Sequence, residues 1–266
     1  MDIGVIDTAA TQGRSWLHVI SPKSKLVAFA LVLAAVVVSF NVLVLAAIAL
    51  VLASGVLSAG LKPRLAFGLA AYPVIFALIF AFASAPGPST ALAIILKAGA
   101  AALAAVLIAL TTPYPQIFAP VQRVVPSVVG DALLMTYRST FLLLGKFSDL
   151  IRAVRLRSGV PKGHPARTAA DTTRALGGLL LYSIDLAQRD YDVMRVRGYE
   201  RRLRARLPRS SNPVLDALLI AITALTLMVS ALWRINAATL NPYSWLPLIP
   251  ALLLFLAAVT VRWRSS

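Results

Sequence analysis

Hydrophobic and polar positions follow two different patterns along this chain. Over six stretches, 26–40, 42–61, 65–82, 91–110, 214–233 and 245–261, nearly every position is apolar. Apolarity on all sides at that length predicts helices surrounded by lipid. At about 1.5 Å per residue the first stretch is short for a hydrocarbon core of roughly 30 Å. Its helix is therefore expected to begin near Lys23, with the lysines snorkelling to the surface. Between the fourth and fifth stretches the period changes, and apolar residues recur every three or four positions. One stripe runs through Leu133, Tyr137, Phe141, Leu144, Phe147, Ile151 and Val154, with Lys146, Asp149, Arg152 and Arg155 off it. A second runs through Ala169, Thr173, Leu176, Leu180, Ile184, Ala187, Tyr191 and Met194. Asp171, Arg174, Asp185, Gln188, Arg189, Asp192 and Arg195 lie on its opposite face. These patterns predict two long amphipathic helices, each with one face to be covered and one left wet. Asp185 stands four residues before Arg189, close enough to pair across a turn.

The punctuation of this middle region sets where its helices stop. Thr111-Thr112-Pro113 predicts the start of a short helix, with Thr112 as cap and Pro113 in the first turn, limited by Pro120 and Pro126. The first long helix is expected over 127–157, ending in Leu156-Arg157-Ser158-Gly159-Val160-Pro161. The second ends at Val196-Arg197-Gly198, where Gly198 can take positive φ and leave Arg197 at the tip. Each long helix thus closes on an x-Arg-small triplet, with the two arginines 40 residues apart.

Composition fixes the class. With 59% hydrophobic residues, 14% charged residues and a mean hydropathy of +0.82, the chain reads as an all-α integral membrane protein. The net charge of +16 is uneven, for 113–209 holds 17 lysines and arginines against 7 acids. The N-terminal region, Lys62 and Arg64, the 113–209 segment, and Arg262 and Arg264 all fall on one side of six crossings. The opposite loops, around Asn41, 84–90 and 235–244, carry no lysine or arginine, with Arg234 at a span edge. The positive-inside rule then places both termini in the cytoplasm. It divides the chain into a four-span part (1–112), cytoplasmic helices (113–209) and a two-span part (210–266). The basic start lacks a cleavage site before a polar mature domain, so it is expected to be retained.

Several chemistries find no support. The sequence has no cysteine. His18 and His164 stand apart from one another and from carboxylates at ligand spacing, which argues against metal binding. Outside the basic segment the only acids are Asp2, Asp7 and Asp216, leaving no carboxylate pair in the membrane for acid/base or metal work. A G-x-x-x-x-G-K-[ST] phosphate loop is missing, so the chain reads as a non-enzyme. A self-sufficient channel or secondary carrier would need ionisable residues or broken helices at mid-membrane. Lys97 is alone there, and its place near the uncharged side fits snorkelling. Nucleic-acid binding by the basic segment is disfavoured by its acids at helical pairing distance and its apolar stripes. The small residues at 99–105 point to close helix packing.

The same residues carry a family resemblance. Ile20-Ser21-Pro22-Lys23-Ser24-Lys25-Leu26 is similar to the Leu-Asp-Pro-x-x-Lys-Leu opening of the energy-coupling-factor transmembrane subunit, the EcfT or CbiQ family. Thr111-Thr112-Pro113 is similar to its Thr-Thr/Ser-Pro turn and Tyr137-Arg138 to its Tyr-Arg pair. Leu156-Arg157-Ser158 and Val196-Arg197-Gly198 resemble its two Ala-Arg-Ser/Gly coupling motifs. The chain departs from that pattern in Ser21 for Asp, in Leu156 and Val196 for Ala, and in a second span after the coupling segment. The resemblance implies a coupling subunit of a vitamin or transition-metal importer of the ATP-binding-cassette class, in a prokaryotic plasma membrane. It implies two long helices crossed in an X whose arginines dock into two ATPase subunits, and a separate substrate-binding membrane subunit as a further partner. It also implies that ATP and Mg are held by the ATPases, with no cofactor in this chain.

Overall fold

The computed structural model of the protein describes residues 10–11, 13, 15–121, 125–158, 165–199 and 212–265. Every regular element among them is a helix: α1 (Trp16–Val19), α2 (Pro22–Val38), α3 (Val42–Ser58), α4 (Pro63–Ser84), α5 (Pro88–Thr111), α6 (Tyr114–Val121), α7 (Ser127–Ser158), α8 (Pro165–Val196), α9 (Pro213–Ile235), α10 (Ala237–Leu240), a 3-10 turn (Asn241–Tyr243) and α11 (Leu248–Ser265). They divide into two units, residues 1–117 with 207–266, and residues 118–206.

The first unit gathers the six apolar stretches. Proline opens α2, α4, α5 and α9, where its missing N–H costs nothing and its φ already suits a helix. Asn41 caps α3, its Oδ1 accepting from Leu43 N at 2.9 Å, and Gly60 at φ +64 turns the chain out of the same helix. Helix α3 sits at the centre, with Val44, Leu45 and Val56 at most 1% exposed. It packs on α5 and α11, α2 packs on α9 and α5, and α4 packs on α5. The small residues of α5 permit this: Ala100, Ala102 and Ala104 are buried, and a Cβ on Gly99 would stand 3.5 Å from Val74. At the two ends Arg262 donates to Leu61 O at 3.0 Å and Asn41 to Asn241 Oδ1 at 2.8 Å.

The outer faces of these helices are apolar and bare, Phe82 being 93% and Ile235 77% exposed. So much apolar surface is unstable in water and stable in lipid, which makes this a multi-pass membrane protein. Among the described residues five helical segments are long and apolar enough to cross a membrane: Pro63–Ser84, Pro88–Thr111, Ser127–Val154, Pro213–Ile235 and Asn241–Trp263; Val42–Ser58 is apolar but shorter, at 17 residues. The inclusion of Ser127–Val154 differs from the reading of that stretch as amphipathic. It is the least apolar of the five, and its leucines and valines raise the average even though charges interrupt its surface.

Two sequence expectations are corrected at the join of α2, α5 and α9. Helix α2 does begin at Pro22, but Lys25 does not snorkel. It is 6% exposed and its Nζ donates to Thr111 O at 2.9 Å. The last turn of a helix leaves carbonyls without partners, and an inward lysine on a neighbouring helix satisfies one of them. Beside it Asp216 Oδ1 accepts from Ser21 N at 2.9 Å. Nor does the Thr112 side chain cap α6. Its hydroxyl is buried without a hydrogen-bond partner, and its backbone N–H instead closes α5 onto Ile108 O at 3.0 Å.

In the second unit α7 and α8, 32 residues each, run antiparallel. Asp131 meets Tyr199, Lys146 Nζ lies 5.1 Å from the Tyr182 ring centroid, and Gly178 faces Leu150. Contacts move back along α8 as they advance along α7. The α7 stripe is largely covered: Leu133, Tyr137, Phe141, Phe147, Ile151 and Val154 are half-buried. Phe118 meets Tyr137 edge to face at 6.3 Å, and Tyr137 meets Phe141 at 5.0 Å. The expected α8 stripe is not covered. Leu176, Leu180, Ile184 and Tyr191 are each more than half exposed, and the face turned inward carries Ala175, Gly178, Tyr182 and Leu186. Small side chains at Ala175 and Gly178 let the backbone approach α7, and that closeness outweighs the larger apolar area one step away.

Candidate coupling site

Both triplets stand at helix ends. Leu156, Arg157 and Ser158 form the last turn of α7, and Leu156 is 86% exposed. The side chains of Arg157 and Ser158, and residues Gly159 to His164, lie outside the described residues. Val196 ends α8 at 87% exposure, and Arg197 and Gly198 follow it, both exposed. A bulky aliphatic residue held in the open at both ends contributes nothing to the core of this chain.

The end of α8 is built by its backbone. Gly198 has φ +72, which turns the chain back over the helix. Gly198 N then donates to Arg195 O at 3.2 Å and Tyr199 N to Met194 O at 3.0 Å. These two bonds make a Schellman motif, which needs a residue with no Cβ penalty at Gly198. Just past the turn, the Tyr199 hydroxyl donates to Asp131 Oδ2 at 2.5 Å, tying the exit of α8 to the beginning of α7. Asp131 is 5% exposed, so this is a short bond to a shielded acceptor. Arg197 lies between the two fixtures, its backbone held and its guanidinium free to reach outward. Arg189 Nη2 and Asp185 Oδ2 pair at 2.7 Å along the wet face, as their spacing predicts. Exposed as both are, this adds only about 0.3–0.5 kcal/mol.

Because the helices are antiparallel, Arg157 and Arg197 are not brought together. Each ends its own helix; because Tyr199 meets Asp131, the two arginines are separated along the pair by about the 26 residues from 131 to 157, roughly 39 Å at 1.5 Å each. The arrangement suits two separate docking points on partners, since guanidinium binds carboxylates and carbonyls through several donors in a fixed plane.

Sequence reasoning missed Asp131 and Tyr199. Tyr199 carried a signal, being the first residue after a glycine expected at positive φ and so the one set to fold back on the helix. Asp131 carried less, for nothing in its neighbourhood distinguishes it from a solvated acid near a helix start. No group of three or more His, Cys, Asp or Glu able to hold a metal ion occurs among the described residues.

Comparison with known proteins places these motifs in context. The family model CbiQ, described as cobalt transport protein, matches residues 13–207, a span that includes the opening motif and both triplets. A search of curated proteins found no match.

Proposed function

This chain belongs to the CbiQ family of cobalt transport proteins, and from that premise we propose that it is the membrane coupling subunit of an ATP-driven importer. It works in a prokaryotic plasma membrane with both termini in the cytoplasm. Two ABC ATPase subunits, which hold ATP and Mg, each grip one end of the α7/α8 pair, Leu156-Arg157-Ser158 at one and Val196-Arg197-Gly198 at the other. A separate membrane subunit binds the vitamin or metal. Closure of the ATPases on ATP moves two points about 39 Å apart against each other, and the helix pair carries that motion to the substrate subunit.

The observation that supports this reading is the placement of two like triplets at the two ends of one antiparallel pair, each with its large apolar residue bare. A pore needs no such pair of handles. The test is the whole complex with Arg197→Glu, Arg157→Glu or both. Cutting a buried interfacial charge pair on one side typically costs about 2–5 kcal/mol, and reversal adds repulsion. Each single change is expected to abolish ATP-dependent uptake with normal membrane insertion, and the double change to release the ATPases in mild detergent. Undiminished uptake by the double variant would reject the assignment.

A further inference from the structure

Packing of the first unit leaves a groove in its side. Helix α9 packs on α2 and α11 on α3, with α5 against both α2 and α3, while α9 and α11 hardly touch one another. The space between them is a cavity of about 440 Å³, within the range of ligand sites. Its inner wall is closed, for Val32, Ile48 and Leu52 are buried. Its lips are not: Ile222 on α9 is 41% exposed, and Leu254 and Val261 on α11 are 52% and 63% exposed. The cavity therefore opens sideways, on the face that the bilayer surrounds.

Depth and chemistry say what fills it. The lining starts where Lys25 meets Thr111 and stops near the middle of the helices. Positions 25–32 of α2, 104–111 of α5, 219–226 of α9 and 254–261 of α11 each cover about 10 Å, and 48–58 of α3 about 15 Å. One leaflet of a hydrocarbon core of roughly 30 Å is about 15 Å deep. Trp16 stands at the mouth, 37% exposed, as an indole at headgroup level does. The five hydroxyls of the wall are spent within their own helices. Ser54 donates to Val51 O at 2.7 Å, Ser58 to Gly55 O at 3.3 Å and Thr111 to Leu107 O at 2.7 Å. Thr223 donates to Leu219 O at 2.9 Å and Thr226 to Thr223 O at 2.7 Å. A buried water needs about two to four polar partners, which such a wall does not offer, and an empty space would forfeit the contacts of all the side chains around it. Positive charge gathers at the mouth. Lys23 is two residues before Lys25, and Arg262, next to Val261, reaches Leu61 O beside Lys62. Among the described residues of this unit the single carboxylate side chain is Asp216, so bases outnumber acids at this end.

We propose that this groove holds an acyl chain of one anionic phospholipid, drawn from the leaflet at the Lys25 end, with the headgroup at the basic rim. The chain enters between α9 and α11, lies along apolar walls one leaflet deep, and leaves its phosphate level with Lys23, Lys62 and Arg262, where cations near a membrane surface attract it. The lipid would then act as a wedge that keeps α9 and α11 apart. The assignment does not depend on the coupling role.

The test uses the full-length protein in detergent, delipidated and then given phosphatidylglycerol or phosphatidylcholine, with bound lipid counted by native mass spectrometry. One phosphatidylglycerol per chain is expected, held in preference to phosphatidylcholine. Ala257 lines the opening from an exposed position, so Ala257→Trp fills the groove without a clash. It should cut retention at least about fivefold while the delipidated variant melts as the delipidated wild type does. Lys23→Gln and Lys62→Gln leave the groove open and should each lower the preference for the anionic lipid by about fivefold. Three results would overturn the proposal. Wild type and Ala257→Trp could hold lipid equally, or phosphatidylglycerol with six-carbon chains could bind as well as the long-chain form, which would confine contact to the headgroup. Or the lipid could be absent from the assembled complex while present on the isolated chain, which would give the groove to a partner's helix.

Discussion

The Tyr199 hydroxyl stands 2.5 Å from Asp131 Oδ2, joining the residue two past Arg197 to the first turns of α7 across 68 positions of sequence. A hydrogen bond to a charged acceptor typically contributes about 1.5–3 kcal/mol. In a double-mutant cycle of Tyr199→Phe and Asp131→Asn read by thermal melting, the coupling is expected at about 1–3 kcal/mol. Uptake by the complex should fall severalfold for Tyr199→Phe with insertion unchanged. Additive effects of the two substitutions would show that the bond holds nothing in place.

Gly198 tests the backbone turn by itself. Its φ is +72 and nothing lies within 4 Å of where a Cβ would stand, so a substitution there strains the chain without a clash. An L-residue in this conformation costs roughly 1–2 kcal/mol, with Asn the best tolerated. ATPase retention should fall in the order Gly, Asn, Ala, Val at position 198. A series without that order would mean the turn does not set the position of Arg197.

The bare stripe of α8 separates stability from assembly. Leu180 is 62% and Ile184 52% exposed, so Leu180→Ser and Ile184→Ser remove little packing inside the chain. Melting of the isolated subunit is expected to stay within about 0.5 kcal/mol of wild type, while uptake by the complex drops. A large loss of stability in the isolated subunit would place this face against the chain itself.

Orientation is testable in a sequence without cysteines, where each introduced thiol reports alone. Ser58, Ser89 and Ser148 are exposed in the fold. With Ser58→Cys, Ser89→Cys and Ser148→Cys, an impermeant maleimide should label positions 58 and 148 from the cytoplasmic side and 89 from the opposite one. Protection of position 148 from both sides would put α7 in the bilayer and remove one of the two docking points.

Local pattern settled a good deal. The helical class, the membrane body, the Asp185–Arg189 pair and the turn at Gly198 each depend on residues within a few positions of one another or on bulk composition, and all were legible in the sequence. What the sequence left open was decided by contacts between distant segments. Lys25 reads as a snorkelling residue until α5 ends beside it with a free carbonyl. Tyr199 and Asp131 gain meaning only when α8 folds back along α7. The face of α8 that packs inward was chosen by the closeness that Ala175 and Gly178 allow, and hydrophobic periodicity records apolar area but not how near two backbones can come.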